Sequence, residues 1–256
     1  MKTLAVIPAR LGATRLPRKP LRLIAGVPLI VRVMERVYAL RVADSVVVAT
    51  DSDEIANRVV QAGGTAVITS SEHPSGTDRV AEVARMAAYR DVDAILNVQG
   101  DEPFVSGAAV RGALTRVTRD GFPLGTAAII DSPEALRHPD VVKVVAADDG
   151  AAMYFSRASI PYLRDRTSVE DETRREALVW RHVGVYAYTP DALARWVALP
   201  PHPLEQIERL EQLRPLAAGI RLGVALVKDV VRGGIDTEAD LALANAQWST
   251  FMVNES

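Results

Sequence analysis

Four cations fall within ten residues near the start of the chain: Arg10, Arg15, Arg18 and Lys19, spaced by Gly12, Ala13, Thr14 and the prolines Pro17 and Pro20. Guanidinium and ammonium groups offset the charge of a polyphosphate, and small residues let backbone N–H groups approach it. A triphosphate therefore suits this loop, although a basic loop that is merely solvated has the same composition. Further on, Gln99-Gly100-Asp101-Glu102-Pro103 sets a carboxylate beside a glycine that permits a sharp turn. Such a hard oxygen ligand suits Mg2+ next to phosphates, and an aspartate that caps a helix is the competing explanation. Ser75 and Gly76 offer hydroxyl and backbone groups where a flat base can be read, while Thr77 and Asp78 beside them fit a helix cap. Arg157 can form a two-bond fork with a carboxylate or an internal salt bridge. Asp148-Asp149-Gly150 is an acidic pair that fits a hairpin turn better than a metal site.

The elements around these residues follow from apolar patterning. Thr3 to Ile7 is a short apolar run expected as a buried strand that Pro8 stops. Leu29-Ile30, Val33-Met34, Val37 and Leu40 recur at helical spacing. Ser45 to Ala49 is a second buried strand, and Asp51 with Glu54 has capping-box spacing ahead of the helix through Val60. Gly63-Gly64 ends that helix, and Thr65 to Ile68 is a third strand. A polar loop over 69–79 leads into a helix expected from Val80 to Tyr89, followed by the apolar strand Ala94 to Val98. Ser106 to Arg119 reads as a helix, Leu124 to Ile130 and Val141 to Ala147 as strands, and 164–177 as a charged loop without apolar period. Val179 to Tyr188 alternates as a strand. Pro203 to Arg214 reads as one helix with Glu205–Arg209 paired on a solvated face, and Thr237 with Asp240 caps a last helix. Strand, helix, strand with short links is a right-handed parallel crossover, so the fold class is α/β.

Composition narrows the rest. The 256 residues can bury a large core in one α/β domain, with or without a lobe. A formal net charge of −2, with 24% charged residues, gives no global field for a nucleic acid polymer, so any cationic site is local. The absence of cysteine excludes disulfides, thiolate catalysis and thiolate metal sites, leaving oxygen ligands and four histidines. Pro8 and Arg10 interrupt the N-terminal apolar run too early for a secretory signal, and no stretch approaches a membrane span. The expected compartment is the cytoplasm.

Several of these segments together resemble one family. Ile7-Pro8-Ala9-Arg10 with Thr14-Arg15-Leu16-Pro17-Arg18-Lys19-Pro20-Leu21, the Ser75-Gly76-Thr77-Asp78-Arg79 segment, Gln99 to Pro103, Tyr154 to Pro161, Arg181 to Tyr186, Pro203 to Arg214 and Gly234 to Leu241 stand in the order of the 3-deoxy-manno-octulosonate (Kdo) cytidylyltransferases. The related CMP-sialic acid synthetases share the I-P-A-R start but usually lack the R-L-P-x-K-P continuation. One departure is Arg18, where a glycine is common in the family.

That resemblance implies a Rossmann-like, mixed but mainly parallel sheet in a single domain over 1–256, with an inserted sugar-binding and dimerisation lobe near 150–220. It implies transfer of CMP from CTP to Kdo, with pyrophosphate released, for lipopolysaccharide synthesis, and a homodimer. Arg10, Lys19, Asp101 and Asp236 would be the catalytic set, with Asp101 and Asp236 together holding Mg2+. The nucleotide would meet Ala9, Arg10, Arg15, Lys19, Ser75, Gly76, Arg79 and Gln99. The acidic sugar would meet Gln99, Arg157, His182, Tyr186, Glu211 and Gln212. Two readings remain beside this one: the same chemistry on a sialic acid or an amino-Kdo analogue, and a non-catalytic nucleotide-binding module on the same scaffold.

Overall fold

In the computed structural model, which describes residues 1–12, 15–164, 168–229 and 232–254, the chain divides into two compact units. One comprises residues 1–106 and 231–256; the other, 107–230, lies between those segments in the chain. The expected lobe near 150–220 falls within the second unit.

The first unit is built on β1 (Thr3–Ala9), every residue of which is buried. It continues through Pro8 rather than stopping there. Pairing with β6 ends at Val6 opposite Asn97, so Pro8 lies beyond that ladder, where its missing N–H is tolerated. The short hairpin strands β2 (Leu23–Ile24) and β3 (Val27–Pro28) lead into α1 (Leu29–Leu40), which buries Leu29, Ile30, Val33, Met34 and Val37 as its spacing predicts. β4 (Ser45–Thr50) and β5 (Ala66–Ile68) flank α2 (Asp53–Gln61), and α3 (Gly76–Arg85) precedes β6 (Ala94–Asn97). The order β6-β1-β4-β5 is parallel throughout, which explains why these strands read as continuous apolar runs: both faces are covered.

Two helix starts differ from expectation. Ser52, not Asp51, caps α2, its hydroxyl accepting the Ile55 N–H at 3.4 Å. α3 begins four residues before Val80, because the Ser75 hydroxyl accepts the Asp78 N–H and Asp78 suits the positive end of the helix.

The second unit runs α4 (Gly107–Thr118), β7 (Leu124–Ile130), α5 (Pro133–Arg137), β8 (Lys143–Ala146), β9 (Ala152–Ser156), α6 (Val169–Leu178), β10 (Trp180–Tyr188), α7 (Pro190–Ala198), α8 (Pro203–Glu208), α9 (Leu213–Ala217) and β11 (Leu222–Leu226). β10 runs antiparallel to β7 and β8, β9 antiparallel to β8, and β11 parallel to β7. Asp148-Asp149-Gly150 is the turn between β8 and β9, with Gly150 at φ +83°. Residues 169–177 of the expected charged loop belong to α6 instead; its sequence is mostly charged, so no apolar stripe announced it. The expected helix over 203–214 is two helices. Arg209 adopts the left-handed conformation (φ 56°) and ends α8, which His202 and Glu205 start with a capping box. The chain then returns to the first unit with α10 (Glu238–Asn254), where Thr237 and Asp240 cap each other as expected.

Candidate active site

The residues of the expected nucleotide loop emerge where β1 ends. Ala9 is buried, whereas Arg10 and Arg15 are exposed; Thr14 of the motif lies outside the described residues. Leu16 and Pro20 are buried, and they anchor the loop from which Lys19 points inward. Arg18 is left-handed with φ 57°, a conformation that disfavours a side chain, and its guanidinium pairs with Glu54.

Lys19 joins the acidic residues of the first unit. Its ammonium donates to Asp101 Oδ2 at 2.6 Å and to Asp236 Oδ1 at 2.9 Å, joining carboxylates that stand far apart in sequence. Arg15 donates to the other oxygen of Asp236 at 2.9 Å. Burial opposes the charged ammonium, but the charge and hydrogen bond of Asp101, followed by those of Asp236, outweigh it and raise the Lys19 pKa above its ordinary value. The two acidic segments are also tied through their backbones, the Ile235 N–H donating to the Asp101 carbonyl at 2.9 Å.

Glycine at 100 is a steric requirement. A Cβ there would lie 2.5 Å from the Pro8 carbonyl oxygen, so the tight Gln99-to-Glu102 turn can approach β1 only without a side chain. Two carboxylates converging on one cationic group, open on the solvent side at Asp236, form a donor set that fits Mg2+ with phosphate oxygens completing its shell. Among the described residues no group of three or more His, Cys, Asp or Glu side chains gathers as a metal site, so substrate oxygens would have to supply the remaining ligands.

Of the expected base-reading residues, Ser75 is engaged as the α3 cap, its hydroxyl donating to Asp78 Oδ2 at 2.7 Å, and Gly76 packs beside the Pro8 ring. Arg79 is 3% exposed; it donates to Thr69 Oγ1 at 2.5 Å and to Asp51 Oδ2 at 2.9 Å. Asp51 can make this pair because Ser52 has taken the capping role. The guanidinium is thus buried and fixed between Thr69 and Asp51. Gln99 is half-buried in the turn that carries Asp101.

The second unit holds the residues assigned to an acidic sugar other than Gln99, which lies in the first. Arg157 follows β9 and is held on three sides: its N–H donates to Glu208 Oε2 at 2.9 Å, its Nε–H to the Glu208 carbonyl at 2.8 Å, and Nη1 to the Pro139 carbonyl at 3.3 Å. His182 lies on β10 beside a register shift between Val183 and Tyr186, an irregularity that re-aims side chains. Burial pushes its pKa down to about 3, so it is neutral at pH 7. The Thr126 hydroxyl donates to the carbonyl of Val185 (2.7 Å) or Val183 (3.2 Å), which leaves its oxygen to accept from His182 Nε2 at 2.9 Å. That arrangement assigns the neutral tautomer with Nδ1 as an acceptor. Phe155 meets the imidazole edge-on at 5.1 Å, and Tyr186 lies 5.4 Å from it. Glu211 and Gln212 fall in the turn between α8 and α9, with Glu211 half-buried and Gln212 buried. Glu205 does not pair with Arg209: it is buried and takes a bidentate bond from Arg214.

Three participants were not singled out from the sequence. Glu208 resembles one more charge on a solvated face, Lys143 lies in an ordinary strand pattern, and Thr126 sits in an apolar run. Their roles arise from contacts across elements, which periodicity does not encode.

Comparison with known proteins decides the family. Residues 4–222 match the family described as Cytidylyltransferase. A 3-deoxy-manno-octulosonate cytidylyltransferase of Gemmatimonas aurantiaca is 58% identical over 248 residues, covering 97% of this chain and 95% of the relative. One from Yersinia pseudotuberculosis is 45% identical over 242 residues, 94% and 96% of the two chains. The chain belongs to the 3-deoxy-manno-octulosonate cytidylyltransferases. Among solved structures, a CMP:2-keto-3-deoxy-manno-octonic acid synthetase complexed with CTP superposes with a TM-score of 0.87 at 38% identity, covering 98% of this chain and 99% of that one. The 4-diphosphocytidyl-2C-methyl-D-erythritol synthase of Anaerococcus prevotii, at 15% identity and a TM-score of 0.63 with 97% and 96% covered, shares the fold alone. Membership in this nucleotidyltransferase family gives the Lys19–Asp101–Asp236 cluster a chemical setting, that of a cytidylyltransferase.

Proposed function

We propose that this cytidylyltransferase joins CTP and Kdo into CMP-Kdo and pyrophosphate, supplying an activated sugar for lipopolysaccharide. The observation that carries the reading is the convergence of Asp101 and Asp236 on one cation, Lys19, at 2.6 and 2.9 Å. The names of the relatives and of the CTP-complexed structural neighbour support it. In this reading Arg10, Arg15 and Lys19 offset charge on the triphosphate, and Lys19 follows the phosphates as charge builds on the departing pyrophosphate. Ala9, Ser75, Gly76 and Gln99 surround the nucleotide, with Arg79 anchored to Asp51 and Thr69 beneath the base. Asp101 and Asp236 would hold Mg2+, which when bound polarises the α-phosphate and lowers the pKa of the attacking hydroxyl. Arg157 pairs with the sugar carboxylate, His182 Nδ1 accepts from a sugar hydroxyl, and Tyr186, Glu211 and Gln212 complete the sugar's surroundings. The anomeric hydroxyl attacks the α-phosphorus in line with the leaving pyrophosphate.

We also propose a cytoplasmic homodimer; no helix among the described residues is long and apolar enough to cross a membrane. A monomer mass by light scattering at micromolar concentration would overturn the dimer. The decisive test is pyrophosphate release with Mg2+, crossing CTP, UTP and GTP against Kdo and a sialic acid. Release with CTP and Kdo is expected. Release only with another acidic sugar would overturn the sugar assignment, and CTP binding without release in any combination would leave a binding module.

A further inference from the structure

The surroundings of Arg157 contain more machinery than an internal salt bridge needs. Lys143 has no exposed surface, and its ammonium donates to the carbonyls of His138 (3.1 Å), Val141 (2.6 Å) and Arg157. A buried ammonium is tolerated only when its donors are satisfied, and here the acceptors come from the chain entering β8 and the chain leaving β9. Lys143 and Ser156 are register partners across those strands, so the ammonium closes the end of the β8–β9 ladder around the Arg157 turn.

Glu208 grips that turn from the other side. Its two carboxylate oxygens accept from the Ser156 hydroxyl at 2.5 Å and from the Arg157 N–H, while its carbonyl accepts from Arg157 Nε. One residue at the end of α8 therefore fixes both the backbone and the inner edge of the guanidinium. Among the described residues no partner takes Arg157 Nη2, which leaves the outer edge of the group available.

Charge supports the same conclusion. Lys143 and Arg157 bring two positive charges beside the one carboxylate of Glu208, which bonds neither cationic group directly, and burial followed by the Arg157 charge holds the Lys143 pKa below its ordinary value. The cluster carries a surplus positive charge that an anionic ligand would balance.

Resting on the reading that Arg157 meets the sugar carboxylate, we propose that Glu208 is the positioning residue for Arg157 and thereby a determinant of acidic-sugar affinity. Removing its side chain frees the Arg157 N–H and the Ser156 hydroxyl, so the turn that carries Arg157 loosens; the Glu208 carbonyl still takes Nε, but the guanidinium shifts with its backbone, and sugar binding weakens while the nucleotide residues are untouched.

The test is steady-state kinetics of the full chain with CTP, Kdo and Mg2+ for Glu208→Ala, Glu208→Gln, Arg157→Ala and the double variant Glu208→Ala/Arg157→Ala. Glu208→Ala is expected to raise KM for Kdo about tenfold while kcat and KM for CTP stay within about threefold. Glu208→Gln, which keeps the shape and one acceptor for the Arg157 N–H, should fall between wild type and Glu208→Ala. The double variant should be no worse than Arg157→Ala, since a residue that acts through another has nothing left to add. Arg157→Ala that raises KM for Kdo while both Glu208 variants leave it unchanged would overturn the proposal alone, and so would multiplicative losses in the double variant. Unchanged KM for Kdo in Arg157→Ala would overturn the sugar-carboxylate reading and the proposal with it.

Discussion

Asp101→Asn separates the chemistry of the site from the stability of the fold. The substitution keeps the side chain's shape and an oxygen facing Lys19 Nζ, now 2.6 Å away, but removes the charge. A hydrogen bond to a charged group is worth about 1.5–3 kcal/mol and a neutral one about 1. Lys19 also retains Asp236 at 2.9 Å, so the expected loss of stability is about 1 kcal/mol. A folded domain with the usual 5–15 kcal/mol, roughly, survives that. The chemistry should not, because removing one preorganised charge from a transfer site typically costs about 10²–10³ in kcat. The assay is pyrophosphate release beside calorimetric titration of CTP and urea melts of the same preparations. Turnover should fall at least about a hundredfold with CTP affinity within a few fold, and Asp236→Asn should behave alike. The linkage sign gives an independent check. Lys19 has a raised folded pKa, so its stabilisation is in full force at pH 7 and is lost as pH climbs past the ordinary lysine range through the folded value. With Asp101 neutral, the alkaline loss should begin at lower pH. Wild-type turnover in either variant, or a loss of turnover that merely follows a loss of CTP affinity, would refute the reasoning.

Three further outcomes follow from geometry. Arg18 sits at φ 57°, where a side chain costs about 1–2 kcal/mol, so Arg18→Gly should be about 1 kcal/mol more stable than Arg18→Ala in urea melts; equal stability would contradict the strain. Gly100→Ala would place a Cβ 2.5 Å from the Pro8 carbonyl, moving the turn that carries Asp101; a loss of about 1–3 kcal/mol and a larger fractional loss of turnover are expected, and unchanged values would refute the close approach. His182 has a folded pKa of about 3, below its ordinary 6.5, so it stabilises the fold above pH 6.5 and loses that contribution as pH falls toward 3. Between pH 7 and 5.5 the loss should be about 1 kcal/mol in the wild type and absent in His182→Asn; equal pH dependence in both would show that His182 is not the group responsible.

The parallel strands were legible because a strand covered on both faces must be apolar along its whole length, as Leu4 to Ile7 and Val46 to Ala49 are. α1 was legible because it buries one face. The misreadings lie where another force decides. Pro8 reads as a stop, yet a proline past the end of one ladder costs little. Arg209 reads as helical, yet it takes the left-handed conformation that ends α8. α6 has no apolar stripe for a periodic pattern to reveal.

The site shows the same division more sharply. Residue type and spacing marked Lys19 and Asp101, but Asp236 entered only through the family resemblance, as the partner of Asp101 at a metal, and its pairing with Lys19 over 217 positions is invisible to any local pattern. Asp51 is the instructive case. Its spacing to Glu54 is that of a capping box, and Ser52 beside it can cap equally well. Which of the two caps the helix is settled by a third residue: Arg79, buried and charged, requires a carboxylate, and only Asp51 can supply one while Ser52 meets the helix amide. Local rules offered two equivalent solutions, and the need to neutralise a guanidinium 28 residues away chose between them. The same logic promotes Glu208 from a surface glutamate to the clamp on Arg157. At both places the deciding term is the cost of leaving a buried donor or charge without a partner, and that cost becomes visible only when the chain has closed around it.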